Sequence, residues 1–141
     1  MSMTATARRV GNGLEHEVEI NGRHTIITDE PEHLGGTDQG PAPHELLAAT
    51  LASCIATMIA MYAQNRSWDL DETSVEVDYD PDSVPRHFTI DIHLPTDTTP
   101  DRQRRLERVA ETCPVRRALE AGFSFEERII ATGSGLRGAA S

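Results

Sequence analysis

A run of eighteen uncharged residues, LLAATLASCIATMIAMYA at positions 46–63, restricts the fold of this chain more than any other feature. Charged residues make up 26% of the sequence, and a helix that lacks them on every side must be buried on every side. The run is near the lower length limit for crossing a bilayer, but its many alanines and its Thr50, Ser53 and Thr57 dilute its apolarity. A single small domain has difficulty enclosing such a helix. We therefore expect a central helix in an oligomer, most simply a dimer.

The first third of the chain has the pattern of antiparallel β-structure. In residues 14–20, LEHEVEI, every second residue is glutamate, which is typical of a half-buried strand. Asn21-Gly22 follows and is the strongest short signal for a hairpin, so RHTIITD is the predicted return strand. Residues 3–10 form the predicted first strand. Residues 30–42 are rich in glycine and proline and predict a long loop, a kind of segment that often carries function.

The remaining two thirds of the chain predict helices, a strand pair and a final strand. In chain order these are a helix from Pro43 to about Gln64, strands at 74–80 and 87–94, a helix from Pro100 capped by Thr99 and broken at Pro114, the short helix PVRRALEA, and a last strand, FSFEERII, at 123–130. The order βββ-α-ββ-α-β predicts an α+β fold of antiparallel sheet and packed helices. We expect one domain at 1–131 and a mobile tail at 132–141.

Composition excludes several functions. The formal net charge of -10 repels nucleic-acid phosphates and anionic lipids, so we expect no nucleic-acid partner and no membrane association. The chain has no lysine, so neither a lysine Schiff base nor a P-loop lysine is available. The start, MSMTATARRV, has no signal-peptide pattern, which predicts a cytoplasmic protein. Two cysteines in a reducing compartment are redox-active or buried more often than they are permanently bridged.

The two cysteines have different predicted settings. Cys54 belongs to one helix face together with Leu47, Leu51, Met58 and Met61. That setting suits a small buried hydrophobic residue as well as a reactive one. Cys113 precedes Pro114 at a predicted helix start, where unpaired N–H groups favour a thiolate. A redox role and a purely structural role at a helix kink are both compatible with this position, and the spacing of the two cysteines does not reveal their distance.

Two segments, GPAPHELLAATLASC and ETCPVRRAL, are similar to the paired cysteine motifs of the OsmC/Ohr family of osmotically induced and organic-hydroperoxide-resistance proteins. The resemblance covers nearly the whole chain, including the hairpin, the glycine-rich loop and the strand order. It implies an OsmC-like fold, in which antiparallel sheets surround the two central helices of an intertwined homodimer. The uncharged run indicates an oligomer independently.

The resemblance also implies an activity, that of a thiol-dependent peroxidase acting on organic hydroperoxides. Cys54 would attack the hydroperoxide and become a sulfenic acid. Cys113 would condense with it to form a Cys54–Cys113 disulfide, which a dithiol reductant would reopen. No cofactor is implied.

The residues that activate the cysteine in the peroxidase members are not fully matched. Those members have a glutamate directly after the proline at the helix start; this chain has His44 there, and Glu45 one position later is turned by about 100° around the helix. They also use an arginine from the first β-turn or from the loop before the helix. The loop at 30–42 has none, and Arg9 with its neighbour Arg8 is nearest to the first location. His44, Glu45 and Arg9 are the candidate supporting residues, and each is equally explained as an ordinary surface residue.

Two other functions are compatible with the sequence. A non-catalytic OsmC-like protein would bind a small apolar ligand in a dimer cleft lined by Leu47, Leu51 and Met58. A metal site formed by the cysteines with His33 or His44 would need converging ligands, and no histidine has the usual ligand spacing from a cysteine or another histidine. We therefore expect no metal.

Overall fold

The structure, a computed structural model, describes residues 2–131 and 133 of the chain. Its elements in chain order are β1 (Ala5–Arg9), β2 (His16–Ile20), β3 (His24–Thr28), a 3-10 turn (Glu32–Leu34), α1 (Glu45–Asn65), β4 (Ser74–Asp80), β5 (His87–His93), α2 (Pro100–Glu111) and α3 (Pro114–Ala121). The predicted α+β class with antiparallel sheets is confirmed. The tail predicted at 132–141 lies, apart from Gly133, outside the described residues.

The first three strands form an antiparallel sheet in the order β1-β2-β3, with Val18 opposite Ala7 on one side and Ile26 on the other. Asn21 and Gly22 have φ values of 51° and 66° at the tip of the second hairpin. Both values lie in the left-handed region that Asn and Gly tolerate best, so the hairpin prediction is confirmed. All residues of β1 are exposed, and the hydrophobic core contains no residue of this sheet.

The other two strands, β4 and β5, form a second antiparallel sheet that packs on α1. Val75, Val77 and Tyr79 pair with Ile92, Ile90 and Phe88, which places the apolar residues of both strands on one face. That face covers the core, whose fully enclosed members are Leu51, Ile55, Ile59, Leu106, Ala110 and Cys113. The core therefore lies between α1, the α2–α3 pair and this two-stranded sheet.

The helix α1, which was expected to be buried on every side, is fully buried on one face within the single chain. Its buried residues, Leu51, Ile55, Ile59 and Ala63, follow one another at intervals of four. On the predicted face, Leu47 and Met61 are 37% and 53% exposed, and Cys54 is half-buried. Because the run is apolar all round, its sequence gives little contrast between one face and another.

Within one chain, most of α1 remains uncovered. By length and composition the helix could cross a membrane, although the core helices of soluble proteins meet the same criteria. Only 22% of its most apolar eighteen-residue window is buried by the rest of the chain. An apolar helix face of this kind requires a cover that the chain itself does not supply.

The last predicted strand, at 123–130, is not formed in the single chain. This segment has no strand hydrogen bonds, and Phe123, Phe125, Ile129 and Ile130 are all exposed, with Phe125 86% exposed. Its alternating pattern favours a strand, but a strand also needs a neighbouring edge with which to exchange hydrogen bonds. Among the described residues, this segment pairs with none of the five strands.

Candidate functional site

The fold brings Cys54 and Cys113 together. Cys54 lies in the middle of α1, and Cys113 lies at the junction of α2 and α3, where it is fully buried. Cys54 packs against the core cluster that contains Cys113, and the Cys113 side chain is near enough to raise the pKa of Cys54. The sequence could not reveal this proximity, because it depends on the packing of α2 against α1 through Leu106 and Ala110.

The break at Pro114 sets the position of Cys113. Cys113 has an extended backbone, with ψ of 123°, because the proline ring disfavours helical geometry in the residue before it. The chain turns at this residue, and α3 starts in a new direction with Pro114 in its first turn. The predicted break is therefore confirmed, and it directs the Cys113 side chain into the core.

The first N–H group of α3 approaches Cys54. Pro114 has no N–H, so the first donor of the helix is the N–H of Val115, and its proximity lowers the pKa of Cys54. The N-terminal end of a helix carries a partial positive charge that favours an anion. The sequence predicted this effect for Cys113, whereas the structure directs it at Cys54 on another helix.

The environment of Cys54 nevertheless favours the thiol over the thiolate. Burial is the largest cause that raises the pKa of Cys54, and the hydrogen bond and the charge of Cys113 raise it further. The N–H of Val115 opposes these effects but does not outweigh them. Such a pair can form a disulfide and can react with an electrophile through the fraction of Cys54 that is ionised.

The predicted supporting residue His44 is placed away from the sulfur pair. It lies ten residues before Cys54 on the same helix, a distance of about 15 Å along the axis. Its ring packs edge-on against Tyr79, with centroids 5.2 Å apart, and Tyr79 stacks on Phe88 at 4.7 Å. In this structure His44 belongs to an aromatic cluster between α1 and the second sheet.

Glu45 and Arg9 also have local partners. The Glu45 carboxylate accepts a hydrogen bond of 3.1 Å from the N–H of Ala42 and so caps the start of α1. The Arg9 guanidinium donates to the carbonyl of Gly13 at 2.8 Å and to that of Asn12, so it is held at the turn between β1 and β2. Within this chain, neither side chain is among the groups that shift the pKa of Cys54.

The loop that precedes α1 is organised by Asp29, a residue that the sequence analysis missed. Asp29 is only 1% exposed, and its carboxylate accepts hydrogen bonds from the N–H of Glu30 at 2.8 Å, the hydroxyl of Thr37 at 2.8 Å and the N–H of Gln39 at 3.1 Å. Burial raises the pKa of Asp29, but these hydrogen bonds outweigh it, and the net pKa is lowered. An aspartate directly before a glycine-rich loop is the only sequence signal that could have revealed it.

Glycine is required in this loop because the backbone passes close to itself. A Cβ atom at Gly36 would lie 1.9 Å from the carbonyl oxygen of Glu30, and one at Gly40 would lie 2.3 Å from that of Ile27. Any larger residue at either position would push apart the two backbone segments that pass each other here. The loop therefore leads the chain into α1 along a fixed path.

A cleft of about 370 Å³ opens between β5 and α3. Its apolar lining consists of Leu51, Phe88, Ile90 and Leu119, and its polar lining consists of Arg86, His87, Arg116 and Glu120. Leu51 lies three residues before Cys54, and Arg116 directly follows Val115. Of the three residues predicted to line a ligand cleft, Leu51 is found here, whereas Leu47 and Met58 are not.

Metal ligands do not converge in the described part of the chain. No group of three or more His, Cys, Asp or Glu side chains there could hold a metal ion. Among residues 2–131, the two cysteines therefore have no third or fourth ligand of the kind that zinc requires.

Comparison with known proteins places these features in a family context. A family model described as OsmC-like protein matches residues 36–128. A solved protein from Psychrobacter arcticus 273-4, named for osmotic stress induction and detoxification response, is 29% identical with a TM-score of 0.67, over 83% of this chain and 87% of that one. No curated protein matches.

Two further solved structures are organic hydroperoxide resistance proteins. The one from Legionella pneumophila is 23% identical with a TM-score of 0.57, over 84% of this chain and 89% of that one. The one from Elizabethkingia anophelis is 22% identical with a TM-score of 0.59, over 83% and 86%. At these identities the two structures show a shared fold.

Proposed function

Because this chain belongs to the OsmC-like protein family, we propose that it is a thiol-dependent peroxidase that reduces organic hydroperoxides. The observation that carries the proposal is the contact between the Cys54 and Cys113 side chains, with the N–H of Val115 directed at Cys54. The names of the related hydroperoxide resistance proteins support the substrate class. Cys54 is the proposed peroxidatic residue, and Cys113 is the proposed resolving residue.

The proposed cycle has three steps. The Cys54 thiolate attacks the distal oxygen of ROOH, the O–O bond breaks, and the products are the Cys54 sulfenic acid and, after protonation, ROH. The Cys113 thiol then attacks the sulfenic sulfur, which releases water and forms the disulfide. A dithiol returns two electrons and two protons and restores both thiols.

Burial of both sulfurs favours an apolar substrate in this cycle. Cys113 is enclosed and Cys54 is half-buried, so a small hydrated oxidant gains little from the site. The neighbouring cleft offers Phe88, Ile90 and Leu119 to an organic group. Organic hydroperoxides are therefore expected to react faster than hydrogen peroxide.

We further propose that the active form is a homodimer located in the cytoplasm. The uncovered face of α1, the exposed first sheet and the unpaired segment at 123–130 all support a second copy as their cover. A reducing compartment suits a cysteine pair that must be returned to its thiols after each turnover.

The peroxidase proposal is tested by turnover of cumene hydroperoxide with dithiothreitol as the reductant. We expect consumption well above that of free thiol, complete loss of activity in Cys54→Ser, and accumulation of sulfenic acid in Cys113→Ser. A Glu72→Gln variant, changed at an exposed position in the turn between α1 and β4, should retain full activity. Consumption no faster than that of free cysteine would rule the peroxidase out.

A ligand-binding protein on the same scaffold is the second candidate. The observation that favours it is the raised pKa of Cys54, together with the placement of Arg9, His44 and Glu45 on other partners. A small apolar molecule would then occupy the cleft beside Leu51. Saturable binding of such a probe, weakened in Leu119→Asp, combined with absent peroxidase activity, would select this function.

A further inference from the structure

A cluster of aromatic and arginine side chains lies at the C-terminal end of α1 and along α2. We call it the arginine–aromatic patch; its members are Tyr62, Arg66, Trp68, Arg102, Arg105 and Arg108. The Arg66 guanidinium lies 3.5 Å from the centre of the Tyr62 ring, and that of Arg102 lies 4.4 Å from the centre of the Trp68 ring. The two rings meet edge to face at 5.6 Å, so cation–π contacts hold the two arginines against a fixed aromatic base.

The patch is a positive surface on a chain whose net charge is -10. The acidic residues interleaved with the arginines of α2 neutralise only part of this positive charge. Asp101 pairs with Arg105 at 3.2 Å and with Arg104 at 3.9 Å, and both pairs are exposed, so water or another anion can replace them at little cost. Within the described part of the chain, Arg66 and Arg108 form no ion pair.

The patch borders an open concavity whose lining includes the residue before Cys113. This concavity, of about 410 Å³, is lined by Tyr62, Arg105, Arg108, Val109 and Thr112. Thr112 directly precedes Cys113 in the chain. Along α1, Tyr62 lies eight residues after Cys54, which is about 12 Å along the axis.

Tyrosine, tryptophan and arginine are the residue types that contribute most to protein–protein binding. A positive aromatic surface on an acidic protein selects a partner of opposite charge, because the rest of the molecule repels it. We propose that the arginine–aromatic patch docks an acidic protein that delivers the dithiol which reduces the Cys54–Cys113 disulfide. This inference rests on the proposed peroxidase function.

The docked partner would reduce the disulfide by thiol–disulfide exchange. One thiolate of the partner attacks a sulfur of the Cys54–Cys113 disulfide, which forms a mixed disulfide and releases the other cysteine as a thiolate that takes up a proton. The second thiol of the partner then attacks the mixed disulfide. The partner leaves as a disulfide, and both cysteines of this chain are thiols again.

Binding to the patch can be measured without any redox chemistry, because Trp68 is the only tryptophan of the chain. The probe is a synthetic peptide with a Ser-Gly-Pro-Ser centre and glutamate-rich flanks, and the matched probe has glutamine in place of glutamate. We expect a saturable change of Trp68 fluorescence with the acidic probe only, weakened by salt. Arg105→Gln combined with Arg108→Gln should weaken binding roughly tenfold, whereas Arg104→Gln, which lies outside the concavity, should not.

Reduction kinetics test the delivery. The same acidic peptide with a Cys-Gly-Pro-Cys centre should reduce the oxidised protein several times faster than its glutamine counterpart. In the Arg105→Gln/Arg108→Gln variant the two peptides should react at the same rate. Dithiothreitol should reduce the wild type and this variant equally fast. Equal rates for the two peptides, or equal fluorescence responses, would overturn the docking proposal. If no disulfide forms with hydroperoxide, the peroxidase proposal fails instead, and the fluorescence titration still decides whether the patch binds acidic protein.

Discussion

Removal of Cys113 should make Cys54 more reactive toward alkylation. The hydrogen bond and the charge of Cys113 both raise the pKa of Cys54, so Cys113→Ala should lower that pKa and increase the thiolate fraction at a fixed pH. A hydrogen bond contributes a net 0.5–1.5 kcal/mol, roughly, and those that involve sulfur are at the weak end. Because Cys54 is half-buried and solvent screens part of the effect, we expect alkylation to accelerate about 2- to 5-fold.

The assay is the rate of iodoacetamide alkylation between neutral and alkaline pH. In Cys113→Ala, Cys54 is the only cysteine, so every modified molecule reports on it; in the wild type, the Cys54 peptide is followed by mass spectrometry. The curve of alkylation rate against pH should shift to lower pH in Cys113→Ala. It should shift by less in Cys113→Ser, whose hydroxyl still accepts a hydrogen bond from Cys54.

An unchanged or slower rate in Cys113→Ala would refute this reasoning. It would mean that the Cys113 thiol donates to the Cys54 thiolate and stabilises it, which reverses the sign of the effect. Cys113 would then be part of the activating environment, and the N–H of Val115 would be its second donor.

Three further changes test the environment of the site and of the core. Val115→Pro removes the N–H that faces Cys54 and should slow its alkylation several-fold, whereas Val115→Ala should not; circular dichroism should show both variants equally helical. Asp29→Asn should lower the melting temperature at neutral pH. Because the pKa of Asp29 is lowered in the folded chain, the wild type should lose the stability that this carboxylate contributes only as the pH falls below about 4. Ile55→Ala should reduce the free energy of unfolding by about 2–5 kcal/mol in urea denaturation, whereas Glu107→Ala, an exposed change on α2, should have little effect.

Features set by a few neighbouring residues could be predicted from the sequence. Asn21-Gly22 determines its hairpin through the backbone angles that these two residues tolerate. Thr99 caps α2 by accepting from the N–H of Arg102 at 3.3 Å, and Pro114 ends the helical geometry at the residue before it. Each of these signals acts within one turn of chain, so no knowledge of the packing was needed.

Features set by packing could not be predicted in the same way. The uncharged run revealed that α1 is central, but not that it buries Leu51, Ile55 and Ile59 rather than Leu47 and Met61, because apolar residues lie on every side. The last strand failed for a related reason, since an alternating pattern does not determine a pairing partner, and the segment pairs with none of the described strands.

The candidate supporting residues illustrate the limit of a motif. His44, Glu45 and Arg9 were selected by their positions relative to a family pattern, and within one chain each has a local partner: an aromatic ring, a backbone N–H and two turn carbonyls. Their role in supporting Cys54 stays a prediction. The N–H of Val115 was missed because a backbone donor has no residue type by which a motif could recognise it.

A single chain therefore supplies only some of the groups that determine the reactivity of Cys54. The helices α1, α2 and α3 bring both cysteines and the N–H of Val115 together within a single chain, so the proposed disulfide would join two cysteines of the same chain. The same chain leaves α1 uncovered and supplies no side-chain cation to Cys54 among the described residues. Since burial raises the pKa of a thiol and a neighbouring cation lowers it, whatever covers α1 changes the reactivity of Cys54 in a direction set by its charge. If apolar residues cover α1, the pKa of Cys54 should rise further and the thiol should be favoured more strongly. Only a covering surface that brings an arginine to Cys54 would lower this pKa and favour the thiolate.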